Sequence, residues 1–296
     1  MNRHRSRIRR LESRRASQAR GNDATRVVIP DPVAFARQLN IDPDPWQRDL
    51  LTSTDDHVIL NCARQSGKST IVAVLALHHA LRNLRALVLV LSPSLRQSGE
   101  LFKKIVNFYK DLGKPIPSET ETALTLQLVN KSRIVSLPGK EQTVRGYSGV
   151  SLLVIDEAAQ VNDDLYYSVR PMLAVSQGRI ILLSTPFGKR GFFFKEWSEG
   201  EAWKKIKITA HECPRISSEF LEEERLALGD WWFQQEYLCS FEDRDAALFR
   251  YDVIQRAISD FDELDINLDD DEDEGSASDL NDLNSDNLNI LNIVLD

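Results

Sequence analysis

The chain has 296 residues, 42% of them hydrophobic and 28% charged. That balance fits a globular protein with one large domain or two modest ones. No stretch approaches the roughly 18 apolar residues that span a bilayer, and Cys62, Cys213 and Cys239 are too scattered for a disulfide framework or zinc-ligand spacing.

The net charge of −8 hides a polarity along the chain. Residues 1–20 carry eight arginines and one glutamate, whereas residues 260–296 carry 14 acidic residues and no Lys or Arg. The first segment, residues 1–25, reads as a basic arm. It lacks the apolar stretch of a secretory signal, and its arginines suit either a solvated, disordered arm or phosphate contact.

From residue 31 helices and strands alternate. A short helix is predicted near 32–39, then a turn at 42–45 and an amphipathic stretch from Trp46. Residues 57–61 (HVILN) read as a buried strand that runs into a Gly/Ser loop. A helix follows over 68–82, with Val72, Leu75, Ala76 and Leu77 as its expected inner face. Residues 86–91 (ALVLVL) form the continuous apolar run of a parallel strand. A helix over 95–112 comes next, then a hairpin of 123–129 with 132–137 around Asn130-Lys131. A strand at 152–155, a helix at 165–173 and a strand at 179–183 complete the core pattern. Residues 204–209 read as one more strand, and 219–238 as one or two closing helices. Such alternation indicates an α/β domain with a largely parallel sheet. The expected organisation is a core over 26–209, a lid or linker over 210–259, and an acidic low-complexity tail over 260–296. The tail offers too little apolar surface to offset chain entropy, so disorder is its default.

The chemistry centres on CARQSGKST, residues 62–70, between a strand and a helix. Gly67-Lys68-Ser69 has the form of a phosphate-binding loop. Backbone N–H groups of Gln65, Ser66, Gly67 and Thr70 would wrap phosphates, Lys68 would neutralise them, and the Ser69 hydroxyl would ligate magnesium. Cys62 stands where the first glycine of such loops usually falls. About ninety residues on, LLVIDEAAQ (152–160) places Asp156 and Glu157 at a strand's end. Asp156 suits magnesium and Glu157 a general base for the attacking water.

A third strand ends in Ser184-Thr185-Pro186, read either as a sensor of the terminal phosphate or as a plain strand exit. Upstream, Trp46 and Gln47 read as a stacking and hydrogen-bonding pair for adenine, or as a core tryptophan with a solvated amide. Arg64, inside the loop, is expected to reach a γ-phosphate or an adjacent carboxylate. Arg145 reads either as an arginine finger offered to a neighbouring subunit or as the partner of a local carboxylate.

Five blocks, ARQSGKST, SPSLRQS, SLPGKEQTVRGYSG, LLVIDEAAQV and IILLSTPFGKRGFFFKEW, occur in the order seen in large subunits of tailed-bacteriophage terminases. The segment WWFQQEYLCSFEDRDAALF also resembles that family's link between ATPase and nuclease, so the likeness covers roughly residues 30–255. It implies an additional-strand, RecA-like P-loop NTPase with a small lid. It implies ATP and Mg2+ as ligands, with Lys68, Ser69 and Asp156 binding them. Glu157 would be the catalytic carboxylate, Trp46-Gln47 the adenine contact, and Ser184-Thr185-Pro186 the coupling motif. Arg64 or Arg145 would be the finger.

The implied partners are double-stranded DNA, a portal protein, a terminase small subunit and further copies in a ring on the procapsid, in the host cytoplasm and without a membrane. The resemblance departs at the acidic end, where family members continue into a metal-dependent nuclease, so DNA packaging without nuclease activity is the expectation. A superfamily 2 helicase is the alternative enzyme, for which the 40-odd residues after 255 leave no second RecA-like domain. A fragment that binds DNA or a partner without turnover is the non-enzyme alternative.

Overall fold

A computed structural model describes residues 28–138, 144 and 146–242. The arm at 1–25, Arg145 and the tail at 260–296 lie outside those residues. Two short helices open the described chain, α1 (Pro32–Gln38) and α2 (Pro45–Thr52). Each has proline in its first turn, where no intrahelical N–H is lost. Asp31 caps α1 by accepting from Val33 N and Ala34 N at 3.0 Å, a contact typically worth about 1 kcal/mol.

Then come β1 (His57–Cys62), α3 (Lys68–Arg82), β2 (Leu87–Ser92) and α4 (Leu95–Asp111). Three strands follow, β3 (Ser118–Glu121), β4 (Thr125–Leu128) and β5 (Arg133–Pro138), then β6 (Leu152–Asp156) and α5 (Asp163–Val169). The described chain closes with β7 (Arg179–Ser184), α6 (Gly191–Ser198), β8 (Lys204–Ile208) and α7 (Ser218–Glu236).

All eight strands form one sheet in the order β3-β4-β5-β2-β6-β7-β1-β8. The run from β5 to β8 is parallel, whereas β4 pairs antiparallel with β5, and β3 with β4. The expected hairpin is thus present and carries one strand more. Residues Ser118–Glu121 gave no apolar signal because this edge strand is mostly exposed and charged. Parallel strands need helical crossovers, and these bury both faces of the sheet.

Alternate strand residues feed two cores. Val58, Leu60, Val88, Val90, Val154, Ile181 and Leu183 face α1 to α4. Ile59, Leu89, Leu91, Leu153, Ile155 and Leu182 face the other side, with Tyr166, Phe192 and Phe193 of α5 and α6. Each such side chain, fully buried, contributes about 1.5–3 kcal/mol.

Helix α3 departs from the expected single inner face. Ile71 to Leu77 are all buried, together with His78, Ala80 and Leu81, because α1, α2 and α4 cover the side that the sheet does not. The helix predicted over 165–173 divides instead. Pro171 cannot continue an α-helical ladder, so α5 stops at Val169 and Arg170–Leu173 form a 3-10 turn. Helix α6 was not expected, since its Gly-Phe-Phe-Phe start has no helical periodicity, yet two of those rings are about 1% exposed. No helix among the described residues is long and apolar enough to cross a membrane.

Candidate functional site

Strand β7 lies between β1 and β6, so three strand ends converge at one edge of the sheet. Strand β1 delivers the loop of residues 63–67. Cys62 is still a strand residue, in register with Ile208 of β8, and a glycine is therefore not required at that position. The turn is made later, at Gln65 (φ 60°) and Gly67 (φ 89°). A Cβ on Gly67 would meet Gln47 Nε2 at 3.0 Å, so glycine is needed there for both conformation and space.

Gly67 is also the N-cap of the 15-residue α3, and no side chain caps that end. The first N–H groups of a helix have no intrahelical acceptor and carry the positive end of its dipole, which suits an anion.

Lys68 is 7% exposed. Its Nζ donates to Thr185 Oγ1 at 3.2 Å and lies 3.8 Å from Glu157 Oε1. Thr185 Oγ1 in turn donates to the Cys62 carbonyl at 3.2 Å. One ammonium thereby ties the phosphate loop to the ends of β6 and β7.

Glu157 has φ 51° and ψ 43°, a left-handed conformation that costs a non-glycine residue roughly 1–2 kcal/mol. Its N–H donates to Asp156 Oδ1 at 3.0 Å, and the bend aims its carboxylate at Lys68. Asp156 is itself buried. Burial, and then the charge of Glu157, push its carboxyl up to about 7, although Lys68 pulls the other way. Glu157 is the ion-pair partner of Lys68, and Asp156 feels the charge of both Lys68 and Lys104. With the Ser69 hydroxyl nearby, the donors are all oxygen, which suits a hard divalent cation.

Gln65, Gly67, Lys68, Ser69, Thr70, Glu157 and Arg64 line a cleft of about 570 Å³. An adjoining space of about 290 Å³ is lined by Ser69, Asp156 and Glu157 with residues of α4. Ser184, Thr185 and Pro186 are buried behind Lys68. Ser66 is also buried, and it contributes its carbonyl to Arg215 Nη2 at 3.1 Å.

Trp46 corrects an expectation. It is 9% exposed and packs in the core on the α1–α4 side, so its ring has no open face for a base. Gln47 is buried beside it, and its Oε1 accepts from Asp44 N at 2.9 Å. That bond uses one of the two lone pairs of the amide oxygen. Arg64 takes the carboxylate option. Its Nε donates to Glu236 Oε2 at 2.5 Å.

Two cations escaped the sequence reading. Arg215 makes a fork to Asp44 (Nη1–Oδ1 3.1 Å, Nη2–Oδ2 2.7 Å) in addition to its bond to the Ser66 carbonyl. Lys104, half-buried on α4, donates to Thr70 Oγ1 at 3.0 Å. Arg215 gave no signal, because it stands in an irregular segment 171 residues from Asp44. Lys104 did give one. Arg96, Glu100 and Lys104 fall at i, i+4 and i+8 on one helix ridge, which reads as a solvated face.

A parallel sheet with an extra strand between the loop strand and the carboxylate strand, and a lysine spanning the two, defines a P-loop nucleoside-triphosphatase fold of the additional-strand, RecA-like class. Residues 59–256 match the model of the family described as terminase large subunit, T4-like-virus type, N-terminal, and the chain belongs to that family. A curated terminase large subunit of Thermus phage G20c is 24% identical over 252 residues, which cover 73% of this chain and 52% of that protein. The chain spans about half the length of the curated relatives it matches.

Among solved structures, the large terminase ATPase domain of Thermus phage P74-26 is similar with a TM-score of 0.64 at 21% identity, covering 71% of this chain and 98% of that one. The large terminase of a thermophilic bacteriophage, solved in complex with ADP, has a TM-score of 0.56 at 14% identity, covering 67% of this chain and 54% of that one.

Proposed function

We propose that this chain is the ATP-hydrolysing motor part of a terminase large subunit and drives double-stranded viral DNA into a procapsid. The observation that carries the reading is Lys68, buried at the open end of α3 and held between Thr185 and Glu157. A buried ammonium with two displaceable partners beside free helix N–H groups is an arrangement for polyphosphate. Family membership supplies the context.

In this reading Lys68 and the backbone of residues 65–70 hold the β- and γ-phosphates of ATP. Ser69 and Asp156 would hold magnesium, which would supply positive charge to offset that of the phosphates. Glu157, aimed at the same corner, accepts the proton of the attacking water at its carboxylate. Thr185, bonded to Lys68, is placed to register whether Lys68 is engaged by phosphate, which gives Ser184-Thr185-Pro186 a coupling role. Gln47 keeps a contact to the base through Nε2. Arg64 or Arg145 is the proposed finger in a ring of subunits, and a portal protein and a terminase small subunit are the proposed partners in the host cytoplasm. The segment after residue 209, described to residue 242, serves as the lid.

Purified protein should hydrolyse ATP with magnesium, faster with duplex DNA. Lys68→Ala should lose nucleotide binding. Glu157→Gln should keep binding and lose turnover by about 10²–10⁴, the usual worth of a positioned base. Phosphate release by wild-type protein equal to that of Lys68→Ala, with DNA present, would overturn the reading.

A further inference from the structure

Lys104 does not belong to the phosphate loop or to the carboxylate strand, yet it lines both the 570 Å³ cleft and the adjoining 290 Å³ space. It reaches them from α4. Its one hydrogen bond among the described residues is to Thr70 Oγ1; none of their carboxylates lies within ion-pair distance of it, though its charge acts on Asp156. An ammonium has three donors, and the two that Thr70 leaves over are free to meet an anion in the cleft.

Lys68 differs in just this respect. It already has Glu157 at 3.8 Å, whereas Lys104, beside the exposed Arg96, has no carboxylate within ion-pair distance among the described residues. The hydroxyl that holds Lys104 belongs to the residue after Ser69. An ammonium held there, in a space also lined by Asp156 and Glu157, lies on the side where the terminal phosphate must meet the catalytic carboxylate.

We propose that Lys104 is a second phosphate-contacting cation of this site, specific for the terminal phosphate, and so a residue that distinguishes a nucleoside triphosphate from a diphosphate. The proposal rests on the reading of the cleft as a triphosphate site. It adds a specificity determinant from outside the known loop. Helix α4 packs on α3, β2 and β5, so a lysine drawn toward phosphate also loads a helix that reaches the antiparallel side of the sheet.

The test is binding of two fluorescent probes, mant-ADP and mant-ATPγS, with magnesium, to wild-type protein and to Lys104→Met, Lys104→Arg, Thr70→Val and Lys68→Ala. A charge-assisted hydrogen bond is worth about 1.5–3 kcal/mol, which corresponds to roughly 10–150-fold in affinity. Lys104→Met should therefore weaken mant-ATPγS at least tenfold and leave mant-ADP within about twofold. Lys104→Arg should recover most of the loss, and Thr70→Val should not reproduce it. Equal weakening of both probes by Lys104→Met would overturn the proposal. Thr70→Val reproducing the split without rescue by Lys104→Arg would reduce Lys104 to a positioning residue. Lys68→Ala should weaken both probes while wild-type protein binds them. Wild-type protein that binds neither would remove the triphosphate-site reading itself, and this proposal with it.

Discussion

Arg64, Lys68, Lys104 and Arg215 are each held by a partner drawn from a different element, and Arg215 shows the consequence most plainly. Its guanidinium joins the N-cap of α2 to the phosphate loop through Asp44 and the Ser66 carbonyl, and it stands 3.6 Å from where a Gly67 Cβ would be. Half of the Arg215 side chain is exposed, whereas that of Asp44 is 12% exposed. The cost of breaking the pair therefore falls on the aspartate, left with the backbone N–H of Gln47 as its capping partner. Arg215→Lys keeps the charge but cannot make the two-pronged contact. It should lower folding stability by about 1–3 kcal/mol and weaken nucleotide binding, as read by urea unfolding and by mant-nucleotide titration. An unchanged unfolding midpoint would mean that the fork is ornamental. Such contacts cannot be read from spacing, since Asp44 and Arg215 are brought together by the fold alone. The loop itself could be read, because Gly67, Lys68 and Ser69 are adjacent and their chemistry depends on being so.

At the level of elements, legibility followed apolar content. β1, β2, β6 and β7 are runs of Val, Ile and Leu buried on both faces, and each was visible within a residue or so of its ends. β3 and α6 were not, the first because it is polar and the second because its aromatic cluster follows no helical period. Helix α7 was visible, though whether it was one helix or two could not be decided. The structure gives the reason in Gly229, where φ is 76° and ψ 163° inside the helix. That region is essentially restricted to glycine, and nothing lies within 4 Å of a Cβ placed there. Gly229→Ala therefore strains the backbone without a clash. It should either cost about 1–3 kcal/mol or straighten α7, with a gain of helical signal. Circular dichroism with thermal melting separates these from the outcome that sinks the idea, a variant identical to wild type in both. A straightened α7 would also disturb the small cluster of Leu221, Phe233 and Tyr237 that packs on Ala63 at the loop's base.

The molecule as a whole has two chemically distinct ends. The candidate site lies at the C-terminal ends of the parallel strands, while two histidines of α3 lie toward their N-terminal ends. His79 Nε2 lies 3.0 Å from Ser151 Oγ, whose proton is committed to the Leu87 carbonyl, so the imidazole donates. Burial pushes its pKa down to about 4, with Arg179 and His78 acting in the same direction. The folded chain therefore binds fewer protons than the unfolded chain between about pH 6.5 and 4. Stability present above pH 6.5 must fall across that window, by on the order of 2–3 kcal/mol from this residue. His78 adds to the loss, since burial lowers its pKa too, against the hydrogen bond to Pro30. His79→Gln keeps a donor and removes the titration. Its unfolding free energy should thus depend less on pH between 6.5 and 4 than that of wild type, and parallel curves would exclude His79 as the source.

The order of the sheet has one more consequence, which concerns neighbours. Within the described residues β3 and β8 each have a single strand partner. The first carries Glu119 and Glu121, bound to Lys131, Lys110 and Lys114. The second reads Lys-Lys-Ile-Lys-Ile, with Lys205 and Lys207 exposed. Open edges are templates for polymerisation, and charged side chains along them make it costly for a further strand to be added. Among the described residues, a sheet of eight hydrogen-bonded strands thus carries its own stop signal at either margin, written in glutamate and lysine.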